Sequence, residues 1–452
     1  MDDNLDSDIR SSKYGELVVL GYNGFSSMQS GTDQPAARSR NHVQIPDHKY
    51  KFELMKRSQP NGIIKSRHFT VEGSKSARTS QLNPQSHSVT YTLNRTQAVV
   101  VEYVADERTD MFQIGRSSEP QIDFTVVDTW LGQQQPPSVH NHQSVVPSAG
   151  QQYCHNNQNK APQSTISRYA CRILVERDSP EPEARVYAAG FDASKNIFLG
   201  EKATKWRKKN EEIDGLTTNG VLILHPTSVN GEVDGPANMF LWREVSVDGD
   251  IYTLRETRSS TKRGDRVDSA TNCLQDGTLI DLCGATLLWR SAAGLQTSPS
   301  RHELERRLDE LNAGRPQCPV SLNTLIIPKR KDSLCRERQP YVYLNCGHVQ
   351  GYHDWGHAKD KQKHKCPICH VESGEILQLC MGVEPAFHLD SDALEYAFNP
   401  CGHVASAKTV RYWSRIPLPH GTNSFNPVCP FCTTILSIDK PYVRLIFQDH
   451  CF

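Results

Sequence analysis

Paired cysteine and histidine residues near the end of the chain are its clearest candidates for chemistry. Two Cys-x-His pairs occur between residues 346 and 432, and each is followed by a Cys-x-x-Cys pair. The eight residues are Cys346, His348, Cys366, Cys369, Cys401, His403, Cys429 and Cys432. Six thiolates and two imidazoles are the donor set of two tetrahedral Zn²⁺ sites. Because these donors leave no coordination position for water, we predict two structural zinc ions.

A second set of polar residues lies in three short stretches next to predicted strands. These residues are Arg116, Ser167, Arg168, Thr218 and Asn219. Strand ends are where a β-sandwich presents its binding residues. An Arg can bind a phosphate through two N–H groups, a Ser hydroxyl can donate to its oxygens, and an Asn amide can fix a peptide backbone. Taken singly, each stretch is better explained as a hairpin turn or a solvated surface charge than as a binding site. The three stretches indicate a phosphate site only when they are considered together.

The elements that position these residues are mainly β. Short β-branched or aromatic runs recur between Gly, Asn, Asp and Pro breaks from residue 16 to about residue 290. The predicted strands are residues 17–20, 89–93, 99–104, 122–127, 171–175, 186–189, 221–224, 240–242, 251–254 and 286–289. Many short strands without amphipathic helices between them predict a β-sandwich.

Two polar segments interrupt this pattern. Residues 132–164 are rich in Gln, Asn, Ser, Pro and His, which bury too little apolar surface to offset the entropy of ordering, so we predict a disordered loop there. Residues from about 31 to 88 are polar and basic with scattered apolar positions. We expect an appendage with a little strand structure.

One helix is predicted between the β region and the cysteine pairs. Ser300 and Glu303 form a capping box, leucines at positions 304, 308 and 311 share one face, and Gly314 ends the pattern. The helix should run over residues 301–313, within a connector of residues 291–314. Its single apolar stripe is typical of a helix that docks onto a neighbouring domain.

Composition narrows the class of protein. The 452 residues suggest two or three domains, and Lys plus Arg equals Asp plus Glu at 51 each, so net charge does not indicate a nucleic-acid partner. The acidic start lacks a signal sequence, and no apolar run could span a bilayer. We therefore expect no membrane association and a location in the cytoplasm, with the nucleus as a further compartment.

The same motifs resemble those of the Pellino family. Residues 110–117 (Asp-Met-Phe-Gln-Ile-Gly-Arg-Ser), 122–124 and 164–168 (Ser-Thr-Ile-Ser-Arg) are similar to its version of the forkhead-associated (FHA) domain. The Cys-Gly-His and Cys-Pro-x-Cys units, with residues 412–414 and 416–422, are similar to its RING-like end. The resemblance covers nearly the whole chain.

The resemblance implies a fold, an activity and partners. Residues 1–290 would form an FHA-type β-sandwich with a wing, which binds phosphothreonine on activated interleukin-1 receptor-associated or Pelle-type kinases. By position, the five polar residues of the three stretches would line that site. Residues 315–452 would form a small RING-like α+β module with two zinc ions. As an E3 ubiquitin ligase in Toll and interleukin-1 receptor signalling, the chain would bring ubiquitin from an E2 enzyme to the kinase, with no covalent ubiquitin intermediate and no catalytic residue of its own.

The sequence departs from the general patterns in two places. Ala170 stands where FHA domains commonly have a His after the Ser. A RING usually begins with Cys-x-x-Cys, whereas here Cys-x-His leads, so the ligands could pair in two ways. A cross-brace would join the two Cys-x-His pairs at one ion, and sequential filling would give each ion three Cys and one His. Cys318 and Cys335 could substitute as ligands, and His353 and His357 are also spaced for a metal, but we expect these four to be mostly packing or solvated residues.

The residues alone, without the family resemblance, do not decide between functions. They fit a ligase and a non-catalytic phosphopeptide-binding zinc scaffold equally. The basic stretch at residues 329–331 and the lysines between 359 and 365 suggest a nucleic-acid-binding zinc protein, but no helix suited to the major groove is evident. A thioester-forming ligase would need a reactive thiol outside the zinc sites, such as Cys318 or Cys380.

Overall fold

The computed structural model describes residues 13–22, 51–73, 83–126, 164–226, 240–329, 339–352, 364–382, 388–420 and 424–448. Nearly all of the loop predicted at residues 132–164 lies outside these ranges, as do Cys335, His353 and His357. The strands before the first helix are β1 (Lys13–Tyr22), β2 (Lys51–Met55), β3 (Gly62–Glu72), β4 (His87–Thr92), β5 (Gln97–Asp106), β6 (Thr109–Gly115), β7 (Phe124–Thr125), β8 (Cys171–Glu176), β9 (Ala184–Ala188), β10 (Asn196–Leu199), β11 (Lys205–Arg207), β12 (Ile213–Gly215), β13 (Val221–Leu224), β14 (Arg243–Val245), β15 (Ile251–Tyr252), β16 (Leu279–Asp281) and β17 (Ala285–Ser291).

Two sheets of these strands form the predicted β-sandwich. The larger has the order β15-β14-β13-β16-β17-β1-β2, and the smaller has the order β7-β6-β8-β9. Alternate residues of β1 and β8, including Leu17 and Ile173, meet in one core between the sheets. This period of two is what a strand requires, because successive side chains point to opposite faces.

Most predicted strands are present, but the one at residues 240–242 is wrong. These residues have no strand pairing and precede β14. Phe240 and Trp242 are nevertheless buried, because they pack against the cysteine-rich part of the chain. The prediction at residues 122–127 was too long, since within the described residues 122–126 the strand covers only Phe124–Thr125.

The appendage contains more regular structure than predicted. Strands β3, β4 and β5 form a sheet with β10, in the order β10-β4-β5-β3. Strand β3 pairs with β5 along its whole length, with one register shift between Lys65 and Arg67. We call this four-stranded sheet the wing. Strand β2, which the same polar stretch contains, instead joins the edge of the larger sandwich sheet beside β1.

The rest of the described chain has three helices and short strands. The helices are α1 (Ala292–Thr297), α2 (Arg301–Ala313) and α3 (Ala407–Trp413). The strands are β18 (Tyr341–Tyr343), β19 (Val349–Gln350), β20 (His364–Lys365), β21 (Glu372–Ser373), β22 (Ile376–Gln378), β23 (Cys380–Met381), β24 (Tyr396–Phe398), β25 (His403–Ala405), β26 (Leu418–His420), β27 (Ser424–Asn426) and β28 (Tyr442–Arg444). Within the described ranges, no helix has the length and apolar character that crossing a membrane requires.

Helix α2 has the predicted bounds. The Ser300 hydroxyl oxygen accepts the backbone N–H of Glu303 at 3.1 Å, which satisfies a donor that the first helical turn leaves unpaired. Leu304 and Leu308 are buried in a core that includes residues of β18, β22 and β25. The helix therefore packs on the cysteine-rich part, as its apolar stripe predicted.

The larger sandwich sheet is buried on both faces. Leu17 and Val19 of β1 point into the sandwich core, whereas Val18 and Leu20 point into a second core shared with helix α3 and Cys429. The Trp242 indole N–H also donates to the Pro417 carbonyl oxygen at 2.6 Å. The sheet is thus the middle layer between the smaller sheet and the cysteine-rich module.

Candidate functional sites

The first group of predicted metal ligands lies where two hairpins meet. Cys346 and His348 occupy the turn between β18 and β19, and Cys366 and Cys369 occupy the turn between β20 and β21. The His348 Nδ1 atom is 3.6 Å from the Cys366 Sγ atom. Gly347 has a φ of 80°, and a Cβ there would overlap a backbone carbonyl of β28. Only glycine fits that turn readily, which explains the residue between these two ligands.

The second group repeats this arrangement with a helix between its pairs. Cys401 and His403 lie at the start of β25, helix α3 follows, and Cys429 and Cys432 lie in a turn after β27. The His403 Nδ1 atom is 3.7 Å from the Cys429 Sγ atom. The Ser406 hydroxyl caps helix α3 by accepting the backbone N–H of Thr409 at 3.2 Å. This short helix was not predicted from the sequence.

The two groups resolve the alternative pairings in favour of sequential filling. Each group has three Cys and one His, and its ligand atoms all lie within 4.8 Å of one another. Sulfur ligands of one tetrahedral Zn²⁺ ion are separated by about 3.8 Å, so a small closure of each group would complete the site. Burial raises the pKa of Cys401 and of Cys429, so thiolates there need a nearby cation. The donors suit zinc, whose binding deprotonates such thiols.

Each Cys-x-x-Cys turn has the same backbone hydrogen bonds. In the first turn, the backbone N–H of His370 donates to the Cys366 carbonyl oxygen at 2.9 Å. In the second turn, the backbone N–H of Thr433 donates to the Cys429 carbonyl oxygen at 2.8 Å. His370 and Thr433 have φ values of 60° and 59°. We call this five-residue turn, from the first Cys to the residue of positive φ, a knuckle.

A third knuckle begins at Cys318 and was not recognised in the sequence. The Leu322 N–H donates to the Cys318 carbonyl at 2.9 Å, and Leu322 has a φ of 57°. Ser321 takes the place of the second cysteine, and its backbone N–H donates to Cys318 Sγ at 3.5 Å. The sequence signal was Cys-Pro-Val-Ser, which matches Cys-Pro-x-Cys except at its last position. Among the described residues, neither Cys318 nor Cys380 belongs to a metal-ligand group.

The predicted phosphothreonine residues lie close together on loops at one end of the sandwich. Arg116 follows β6, and its backbone N–H donates to the Ser167 carbonyl at 3.1 Å while its Nε–H donates to the Ile166 carbonyl at 2.8 Å. Arg168 is exposed beside them, with its guanidinium carbon 5.6 Å from the centre of the Tyr169 ring. Two cationic side chains therefore face solvent at adjoining loops.

Asn219 links the third predicted stretch to the second. Its Nδ2 group donates to the Thr165 carbonyl at 2.7 Å and to the Ser167 hydroxyl oxygen at 3.2 Å. Thr218 is exposed next to it, and Gly220 has a φ of 71°. The tertiary structure thus brings all three stretches to one place. The assignment of these residues to phosphothreonine remains a prediction.

Comparisons with known proteins agree with this organisation. The family description "Pellino, FHA domain" matches residues 5–307, and "Pellino, RING domain" matches residues 311–451. "Protein pellino" of Drosophila melanogaster is 52% identical over 438 residues, which cover 97% of this chain and 93% of that protein. "E3 ubiquitin-protein ligase pellino homolog 2" of Homo sapiens is 48% identical over 439 residues, covering 96% and 95%. "E3 ubiquitin-protein ligase pellino homolog 3" of Mus musculus is 47% identical over 442 residues, covering 96% and 90%.

Proposed function

The chain belongs to the Pellino family, and from this premise we propose that it binds phosphothreonine on an activated receptor-associated kinase and ubiquitinates that kinase. The RING domain and the named relatives make it an E3 ubiquitin-protein ligase, with an E2 enzyme and ubiquitin as partners. The kinase, of the interleukin-1 receptor-associated or Pelle type, and the setting in Toll and interleukin-1 receptor signalling belong to the proposal. So does action in the cytoplasm or nucleus, where thiols stay reduced.

The proposed catalysis is positional. A RING-type ligase holds the E2 so that its ubiquitin thioester faces an incoming lysine, which replaces random encounters with an oriented attack. Zinc at the two four-residue groups would cross-link their turns and contribute folding free energy without a reactive position of its own. The phosphothreonine site would raise the effective concentration of the kinase beside the E2.

The two closed Cys₃His groups are the observation that carries the ligase part of the proposal, and discharge of an E2 tests it. The assay follows lysine-dependent loss of ubiquitin from a charged E2, across a panel of E2 enzymes, with zinc content measured on the same samples. We expect the intact chain to accelerate discharge. The variant Cys429→Ala, Cys432→Ala should lose both zinc and acceleration. Cys273→Ala, Cys283→Ala removes two thiols outside the groups and should change neither.

Full zinc content without discharge by any E2 would contradict ligase activity and favour the phosphopeptide-binding scaffold. Discharge that survives the loss of zinc would instead contradict a structural role of the metal. A covalent mechanism has its own signature, since ubiquitin would then become attached to the chain through a thioester that a reducing agent removes.

Binding of phosphopeptides tests the recognition part separately. Fluorescent phosphothreonine peptides should bind at least about tenfold more tightly than the same peptides without phosphate, because an Arg–phosphate pair adds strong charge-assisted hydrogen bonds. Arg116→Ala should abolish this difference. Arg108→Ala removes an exposed arginine at the opposite end of the same strand, β6, and should leave it intact. Equal binding of both peptide forms would contradict phosphothreonine recognition.

A further inference from the structure

A cavity beside the candidate phosphothreonine loops is larger than a phosphate group requires. Its volume is about 360 Å³, which lies within the range of ligand-binding sites. One wall consists of predicted phosphothreonine residues, namely Ser167, Arg168, Thr218 and Asn219. A peptide held by its phosphate on that wall would still have room to insert a neighbouring side chain.

A second part of the lining comes from strand β10 and the turn before it, and we call it the β10 wall. Phe198 lines the cavity and is 48% exposed, so its ring offers apolar contact to a ligand. Asp192 lies on the same side, and its Oδ1 atom accepts the backbone N–H of Asn196 at 3.1 Å. A carboxylate there repels an acidic side chain, whereas an aromatic ring favours an apolar one. The chemistry of this wall therefore suits an apolar neighbour of the phosphothreonine.

The wing fixes this wall in place. Strand β10 pairs with wing strand β4, with Asn196 opposite Ser88 and Phe198 opposite Thr90. The Asn196 Oδ1 atom accepts the hydroxyls of Ser88 and Thr90, both at 3.1 Å. Ser88 and Thr90 are themselves buried. The position of Phe198 thus depends on a strand that does not line the cavity.

We propose that the wing is a selectivity element, because strand β4 positions the β10 wall so that the cavity takes an apolar side chain next to the phosphothreonine of a bound peptide. This inference rests on the proposed function, since it adds a second anchor to the same site. Phe198 would contact the peptide. Ser88 and Thr90 would act through Asn196 as positioning residues.

Phosphothreonine peptides with Leu, Ala or Asp at each flanking position test the contact, with the full-length chain and fluorescence polarisation. At one position we expect the Leu peptide to bind about tenfold more tightly than the Ala peptide, and the Asp peptide to bind most weakly. Phe198→Ala should reduce the Leu-to-Ala ratio to about twofold and leave the Ala peptide's affinity nearly unchanged. Val104→Ala, an equally exposed apolar residue of the wing outside the cavity, should preserve the ratio.

A pair of substitutions at one wing position tests the positioning role. Thr90→Val keeps the shape of the side chain but removes the hydroxyl donor, and should lower the Leu-to-Ala ratio severalfold. Thr90→Ser keeps the donor and should restore most of that ratio. Equal ratios for these two variants would overturn the role of the wing, and an unchanged ratio in Phe198→Ala would overturn the cavity assignment. Failure of the intact chain to prefer any phosphorylated peptide would overturn the proposed function itself, and the inference with it.

Discussion

At the scale of single residues, the candidate phosphothreonine site depends on side chains that tie separate loops together. Asn219 contacts the Thr165 carbonyl and the Ser167 hydroxyl across more than fifty residues of sequence. Gly115 is fixed in another way, since a Cβ there would overlap the Arg168 carbonyl. These residues shape the site whether or not they touch the ligand.

Replacement of Asn219 by Ala should weaken phosphopeptide binding by up to about thirtyfold. Two hydrogen bonds that hold the 165–167 loop would be lost, and each is worth about 1 kcal/mol. Titration of a fluorescent phosphopeptide measures the effect. Asn210→Ala is the matched control, because that side chain supports a turn between β11 and β12. An unchanged affinity in Asn219→Ala would show that this residue does not organise the site.

The imidazole of His87 should make stability depend on pH. Burial, together with the charges of Lys195 and Arg172, lowers the pKa of His87 to about 4. The unfolded chain takes up a proton near pH 6.5 but the folded chain does not, so His87's contribution is fully present above pH 6.5 and is lost as pH falls towards 4.

Urea unfolding at pH 7.5 and pH 5.5 measures this contribution. Between pH 7.5 and pH 5.5, the intact chain should lose more free energy of unfolding than His87→Gln does. The difference should be at most about 1 kcal/mol, because the ring is only partly buried. His68→Gln, on wing strand β3, is the control. Identical losses in the intact chain and in His87→Gln would contradict the lowered pKa.

At the scale of elements, three knuckles of one shape differ in what their tips contact. Ile368, at the tip of the Cys366 knuckle, is 38% exposed, whereas the equivalent Phe431 of the Cys429 knuckle is 9% exposed and packs in the core shared with the sandwich. The Cys429 knuckle therefore packs at the internal interface with the sandwich. The exposed tips remain available to a partner.

Ile368→Ala should slow E2 discharge by about fivefold to tenfold without loss of zinc. An exposed apolar side chain that becomes buried on E2 binding contributes about 1 to 1.5 kcal/mol, and Ile368 lies between two ligands without being one. Discharge rates at sub-saturating E2, with zinc content, measure the change. Ile438→Ala removes a residue that is 90% exposed, outside the knuckles, and should be neutral. Equal rates for both variants would exclude this tip from E2 binding.

At the scale of the whole molecule, the larger sandwich sheet joins the two functional parts. On its β13 strand, Val221 and Ile223 face the sandwich core, while Leu222 and Leu224 face the core that includes Cys401. The same strand follows the Thr218 and Asn219 loop. One strand thus follows a loop of the candidate peptide site and shares a core with the second group of candidate metal ligands.

Loss of metal from the second group should loosen this sheet, and loss from the first should not. In Cys401→Ser, hydrogen exchange at the amides of β13 and β16 should accelerate severalfold, because the core that covers their outer face includes ligands of that group. In Cys346→Ser, whose group lies away from this core, exchange there should remain slow. Mass spectrometry resolves both strands. Equal protection in the two variants would contradict coupling between the second site and the sandwich.

The sequence by itself determined the features that depend on short spacing. The eight candidate metal ligands, the bounds of helix α2 and most strands of the sandwich follow from residues that lie close together in the chain. A turn brings ligands two or three positions apart into one site, a helix end needs only its cap, and a short β-branched or aromatic run between turn residues predicts a strand. Family resemblance also pointed to the three loop stretches, but their spacing alone did not.

Only the tertiary structure decided the features that join distant segments. It grouped the candidate ligands sequentially rather than crosswise, matched the Cys318 turn to the other knuckles, and brought Phe198 and Arg168 into the lining of one cavity. It also turned residues 240–242 from an expected strand into an irregular contact with the metal module. Each outcome depends on which surfaces meet after folding. An apolar side chain in the sequence predicts that the residue will be buried, but it does not predict which element will cover it.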